Sequence, residues 1–227
     1  VRELSFYLQM SVTAMLNILI KEPDSFLKNG LQYFLVDFFL HNFRYQVNFG
    51  IEFTFDSVNS ADIVILSLCP GEALTCIPEL KARKKGILIG MVDDERRFTE
   101  FSSCFQDMIF ISRRAPLDRV SERLFLAWYR TQLPDYRWKH KDCFHCPHKI
   151  LSTQQIRLSV NLYKGLSVGQ IANRLRTSNK TIFTHKYLLM QKFDLRNDFE
   201  LMALIHRMVE KNAHPNKLHD HLVGQDG

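Results

Sequence analysis

Residues 151–197 read LSTQQIRLSVNLYKGLSVGQIANRLRTSNKTIFTHKYLLMQKFDLRN. Ser152 stands three places before Gln155, and Ser167 three before Gln170. In that spacing the hydroxyl of the first residue and the amide of the second each satisfy a free backbone N–H, the exchange that opens a helix. Asn197 and Glu200 repeat the exchange in variant form, and Ser178 is a further cap without the reciprocal partner. The four starts predict helices over 153–164, 168–175, 179–193 and 198–211. Only two or three residues around Arg176 and Thr177 separate the second from the third. Two short helices joined so tightly form a helix-turn-helix.

The third helix of the set divides into two faces. Ile182, His185, Leu189 and Phe193, with Met190 beside them, recur at helical spacing and are expected to pack inward. Lys180, Phe183, Thr184 and Tyr187 fall on the opposite face at i, i+3, i+4 and i+7. That face suits a major groove, where hydroxyls meet base edges and apolar groups meet thymine methyls. Thr181 is expected near the DNA backbone. Lys186, Lys192, Arg174 and Arg176 flank the face, where cations position a helix on phosphates.

Charge follows the same division. Residues 1–150 carry 19 Lys/Arg against 18 Asp/Glu, whereas residues 151–212 carry 10 against 4. No acidic residue lies between Asp142 and Asp194, an interval holding eight Lys/Arg. A neutral front joined to a basic back implies a polyanionic partner for the back, double-stranded DNA first. The competing reading is an interaction module whose basic helix docks an acidic protein.

These residues resemble the C-terminal domain of LuxR/GerE-type transcription regulators. The resemblance rests on Leu151-Ser152, Gly165-Leu166-Ser167, Ile171-Ala172, Leu175, Ser178, Lys180-Thr181-Ile182, Thr184-His185 and Met190-x-Lys192. It covers about a quarter of the chain and implies a four-helix domain whose third helix reads DNA and whose fourth often forms a dimer contact. The sequence departs from that family at Gln154-Gln155, where acidic residues are usual, and at Phe183, where a basic residue is common. The last departure leaves the target sequence open. In the fourth helix Leu201, Leu204, Ile205 and Met208 form an apolar stripe widened by Phe199, Met202 and Val209. Part of it must cover the domain's own core, and the rest is expected to meet a second copy. A homodimer is thus expected, with a heterodimer with another regulator as the alternative.

The front half is of a different kind. Leu16–Ile20, Tyr45–Phe53, Ile63–Leu68, Gly86–Val92 and Met108–Ile111 are short apolar or β-rich runs. Helical stretches are expected over Ser25–Phe39 and from Leu117 to about Thr131. Continuously apolar strands separated by helices are what a doubly wound parallel sheet, covered on both faces, requires. The expected fold is therefore α/β plus all-α: a sheet domain over 15–133, a linker over 134–150 and the helix-turn-helix domain over 151–212. Residues 1–14 read as an N-terminal extension and 213–227 as a mobile tail.

The order of strands and loops in NILIKEPDSFLKNGL, ADIVILSLCPG, GILIGMVDDER and IFISRRAPLDR resembles the receiver domain of response regulators. That family holds Mg²⁺ on a carboxylate pair after the first strand and carries an Asp nucleophile at the end of the third. A Thr/Ser follows its fourth strand and a Lys its fifth. The aligned residues are Glu22 with Pro23, Ser67, Met91 and Arg113. Serine cannot form an acyl phosphate, which needs a carboxylate nucleophile. A single carboxylate is also a poor seat for an ion that wants octahedral oxygen ligands. The resemblance therefore implies a pseudo-receiver that is not phosphorylated there. A conventional phospho-acceptor using Asp24 or Asp62 stays open.

Within the linker, His140, Cys143, Cys146 and His148 have the spacing of a tetrahedral zinc set. Structural zinc sites usually draw their ligands from separated segments, and these lie within nine residues, so a plain linker is expected. A redox Cys-x-x-Cys would open a helix after a strand, which Pro147 and the linker context oppose. No cofactor and no enzymatic activity are expected, since there is no Gly-rich phosphate loop and no Ser/His/Asp arrangement. The five cysteines form no disulfide framework, and no apolar run reaches membrane-spanning length. A reducing, cytoplasmic compartment follows, with no membrane partner.

Overall fold

The structure, a computed structural model, describes residues 14–97, 103–136, 148–210 and 217–223. It divides into two compact units. One comprises Val1–Ser67, Ala82–Met91 and Asp107–His140, the other Leu68–Lys81, Val92–Gln106 and Lys141–Gly227.

The first unit is a five-stranded sheet. Its strands are β1 (Met15–Lys21), β2 (Gln46–Gly50), β3 (Ile63–Ser67), β4 (Ile87–Val92) and β5 (Met108–Ser112), in spatial order β2-β1-β3-β4-β5. The pairs β1–β2, β1–β3 and β3–β4 are parallel. Alternation explains why these runs contain no polar phase. Ile18, Ile20, Ile63, Ile65, Ile87 and Ile89 face one core, while Leu19, Val64, Leu66 and Leu88 are equally buried on the other phase. Both faces are covered, as the unbroken apolar runs require.

Helix α1 (Ser25–Phe43) and helix α3 (Leu117–Thr131) close one face, meeting edge to face at Phe39 and Trp128, 5.6 Å between ring centroids. The short α2 (Phe55–Ser60) is capped by Thr54 and buries Val58. Asp24 caps α1, accepting from the Phe26 and Leu27 N–H groups. The helix then runs four residues beyond the expected Phe39, because Phe43 packs with Phe38 and Phe39. It ends at Arg44 in the left-handed conformation, φ 59°.

The second unit holds α4 (Thr153–Tyr163), α5 (Val168–Arg174), α6 (Asn179–Lys192), α7 (Asp198–Glu210) and α8 (Lys217–Val223). The predicted caps form. Gln155 and Gln170 N–H groups donate to Ser152 and Ser167, and both reciprocal amide bonds are present. At Asn197 the side chain accepts from Glu200 N, but the Glu200 carboxylate takes the Arg196 N–H instead. The core gathers Leu158, Ile171, Ile182, Leu189, Phe193, Leu201 and Leu204. Segment 68–81 belongs to the same unit. Leu74 joins that core, the Leu74 carbonyl accepts from Lys149 N, and the buried Glu72 carboxylate lies 3.8 Å from the Arg207 guanidinium. Gly71 (φ 80°) sits where a Cβ would come within 2.9 Å of the Phe193 carbonyl and 3.1 Å of Leu204.

Within the segment read as a tail, Lys217–Val223 is helical. Leu218 is 4% exposed against Ile156 and Val160, and Leu222 packs beside it. The burial of these two leucines on α4 orders a segment whose polar composition suggests none.

Candidate nucleic-acid interface and receiver position

The tight turn forms as expected. Helix α5 ends at Leu175, Arg176 adopts φ 50°, and Thr177 N donates to the Ala172 carbonyl before Ser178 caps α6. Ile182, Leu189 and Phe193 are at most 1% exposed, with His185 and Met190 half-buried beside them. Lys180, Phe183, Thr184 and Tyr187 are exposed together on the opposite side. Thr181 is half-buried, its backbone N–H bonded to the Ser178 cap and its hydroxyl 2.9 Å from the cap's own.

Each exposed group has a defined posture. The Thr184 hydroxyl donates to the Lys180 carbonyl at 3.0 Å, which leaves its lone pairs to accept. The Tyr187 hydroxyl accepts from Gln191 Nε2 at 2.8 Å, so its own proton remains available. Gln191 did not emerge as a site residue from the sequence, although its i+4 spacing from Tyr187 was there to be read. Leu188, also exposed, extends the apolar part of this surface.

The flanking cations divide. Lys186 is held by Asp198 at 2.7 Å with its side chain only 16% exposed, and it lies over the Phe183 ring. Lys192 donates to the Ile150 carbonyl and, at 3.1 Å, to Gln155 Oε1, tying the end of α6 to the start of α4. Both ammonium groups thus make contacts within the unit. Arg174 and Arg176 are exposed beside the turn.

Of the expected dimer stripe, the larger part is buried within the unit. Leu201, Leu204 and Ile205 are 2%, 2% and 1% exposed, and Met208 packs half-buried at the junction with α4 and α8. Helix α7 spends this stripe on its own core because segment 68–81 and α8 add to that core. Phe199, at its start, is 88% exposed.

In the first unit the expected receiver residues meet at the carboxyl ends of β1 and β3. That is the switch point of the strand order, where such sheets place their sites. Ser67 donates to Glu22 Oε2 and accepts from the Arg113 guanidinium. Glu22 Oε1 accepts the Asp24 N–H at 2.9 Å, so both carboxylate oxygens are engaged. Met91, paired in register with Ser67, is buried in β4. The arrangement does not fit Mg²⁺: it offers one carboxylate, already bonded, facing a guanidinium that repels a divalent cation. Of the alternative acceptors, Asp24 is the cap of α1. Asp62 lies at the amino end of β3, bonded to Asn17 N and Lys85. Of the linker cluster, His148 is described and half-buried; His140, Cys143 and Cys146 lie outside the described residues. Among the described residues no helix is long and apolar enough to cross a membrane.

Comparison with known proteins follows this division. Residues 149–205 match the bacterial regulatory proteins of the luxR family. No curated protein matches the chain. Among solved structures, the chain is similar to RcsB from Salmonella enterica serovar Typhimurium bound to promoter P1flhDC in the presence of phosphomimetic BeF3⁻. The identity is 18%, covering 83% of this chain and 96% of that one, with a TM-score of 0.50. It is also similar to full-length FixJ from B. japonicum, at 15% identity over 86% and 98% of the two chains, with a TM-score of 0.37. At 18% identity the likeness to that RcsB structure speaks for the fold alone. The chain is a receiver-like α/β sheet unit with a luxR-type helix-turn-helix domain after it, the domain of the luxR family of bacterial regulatory proteins.

Proposed function

We propose that this protein is a sequence-specific transcription regulator that binds duplex DNA as a homodimer, with α6 in the major groove of each half-site. The reading is carried by the face of α6. Lys180, Phe183, Thr184 and Tyr187 stand exposed side by side on a helix without a carboxylate. Thr184 offers an acceptor, Tyr187 a donor and Phe183 an apolar edge for a thymine methyl. Arg174, Arg176 and Lys180 supply phosphate contacts, while Lys186 and Lys192 hold the domain together. A single recognition helix reads only a few base pairs, so a dimer supplies the rest of the specificity.

The receiver-like unit acts without phosphorylation at Ser67. Its hydroxyl is no acyl-phosphate acceptor, and the Glu22–Ser67–Arg113 cluster fills the position with its own bonds. Binding of the full chain to labelled duplex DNA, measured against salt and against unrelated duplex, tests the proposal. A steep fall of affinity with salt and a preference among sequences are expected. Indifference to duplex DNA, with binding to acidic protein instead, would favour a docking module.

A further inference from the structure

A cavity of about 480 Å³ opens at the carboxyl end of α6, and every residue lining it belongs to the second unit. That is the size of a small-molecule site. Pro70, Leu74 and Phe193 give it an apolar wall. Its polar lining is mostly charged, with Asp93, Asp94, Asp194 and Glu200 against Lys149 and Arg196. Asp94 is answered by Arg96 at 3.1 Å, and Glu200 accepts the Arg196 backbone N–H. Asp93, Asp194 and Glu200 still outnumber the two cations, so the cavity favours a positive guest.

Gln191 lines the same cavity and donates through Nε2 to the Tyr187 hydroxyl at 2.8 Å. The Oε1 of that amide can only accept. The carboxylates are acceptors too, so a guest bonded to both must be a donor. An apolar wall beside acceptor groups suits an aliphatic stem that ends in an ammonium or guanidinium.

We infer that this cavity binds a small aliphatic amine or guanidine as an effector, and that Gln191 relays its occupancy to Tyr187 on the DNA-facing surface. Tyr187 and Gln191 are both exposed, and DNA binding has to order them. A guest bonded to Oε1 orders the amide beforehand, and with it the Tyr187 hydroxyl. Occupancy therefore tightens sequence-specific binding, and the specific duplex tightens the guest by the same factor. Screening by a free organic cation works in the opposite direction, weakening contact with DNA. The relay rests on the DNA reading of α6 proposed above, whereas occupancy of the cavity does not.

Calorimetric titration of the full chain with 1,4-diaminobutane and with agmatine, in the absence of DNA, reads the cavity alone. Saturable binding of at least one of them is expected. No binding is expected of 1,4-butanediol, which has the same stem without the charge. Asp93→Asn combined with Asp194→Asn should weaken the amine about tenfold or more. Asparagine tolerates the left-handed backbone of Asp194 at φ 52°, and unchanged thermal unfolding separates a lost site from a lost fold. Should that variant fail to fold, the diol comparison still decides the site. With the amine bound, affinity for the preferred duplex should rise about fivefold. In Gln191→Ala the amine should still bind through the carboxylates, and the rise should vanish. Failure of both probes to saturate, equal binding of the diol, or indifference to the two asparagines in a folded variant would overturn the site. An occupied cavity without the rise, or a rise that survives Gln191→Ala, would overturn the relay.

Discussion

The Ser67 hydroxyl donates to the carboxylate of Glu22. The resemblance to receiver domains aligns these two positions with the phospho-acceptor and one of the metal-binding acids, and here they bond to each other. With Arg113 on the far side of the hydroxyl, the cluster carries a charge balance of its own, while the buried Arg113 Nε has no hydrogen-bond partner.

Removing the middle member should therefore be felt as lost stability. Ser67→Ala leaves Glu22 Oε2 and the guanidinium without their shared partner in a buried place, at a cost of about 1–3 kcal/mol. Urea unfolding of the full chain reads this. Intact mass after incubation with acetyl phosphate and Mg²⁺ should not change for the wild-type chain.

Lys192 and Arg176 should separate in a salt titration. Lys192→Ala breaks bonds to Ile150 and Gln155, and should lower the stability of the helical unit by about 1 kcal/mol while leaving the salt slope nearly unchanged. Arg176→Ala should leave stability intact and flatten the slope by about one unit. The reverse outcome would exchange the two roles.

Thr184→Ala should weaken binding to the preferred sequence by about 1–3 kcal/mol and leave random duplex little affected. Tyr187→Phe, which keeps the ring and loses the hydroxyl bonded to Gln191, should alter preference at one base step only. Competition between preferred and random duplexes checks both.

Gly86 and Arg44 test the backbone of the sheet unit in opposite directions. Gly86 has φ 74°, and a Cβ there would lie 1.8 Å from the Asp62 carbonyl oxygen. Gly86→Ala should cost several kcal/mol or abolish folding, by roughly the sum of left-handed strain and overpacking. Arg44→Gly relieves a left-handed residue after α1 and should be neutral to stabilising by about 0.5 kcal/mol, the relief being offset by the freedom glycine gains when unfolded.

Much of this architecture can be read in the chain because local and tertiary signals agree. The strands are continuous apolar runs, since both sheet faces are buried. Three helix starts carry caps whose partners are three residues away. The outward face of α6 follows from its spacing alone. What depends on distant partners is not legible. Lys186 and Lys192 look like free cations until Asp198 and the Ile150 carbonyl are brought beside them. The stripe of α7 looks like a dimer surface until Leu74 and Gly71 arrive from more than 120 residues before it. Among the described residues of α8, Leu218 and Leu222 mark its buried side.

In the proposed function α6 reads DNA through Lys180, Thr184 and Tyr187. Genome-wide crosslinking of the protein in its host, beside the K180A/T184A/Y187A variant, tests it most directly. Discrete peaks sharing a two-fold symmetric motif, lost in the variant, are the predicted result. Diffuse signal, unchanged by the three substitutions, would contradict the account.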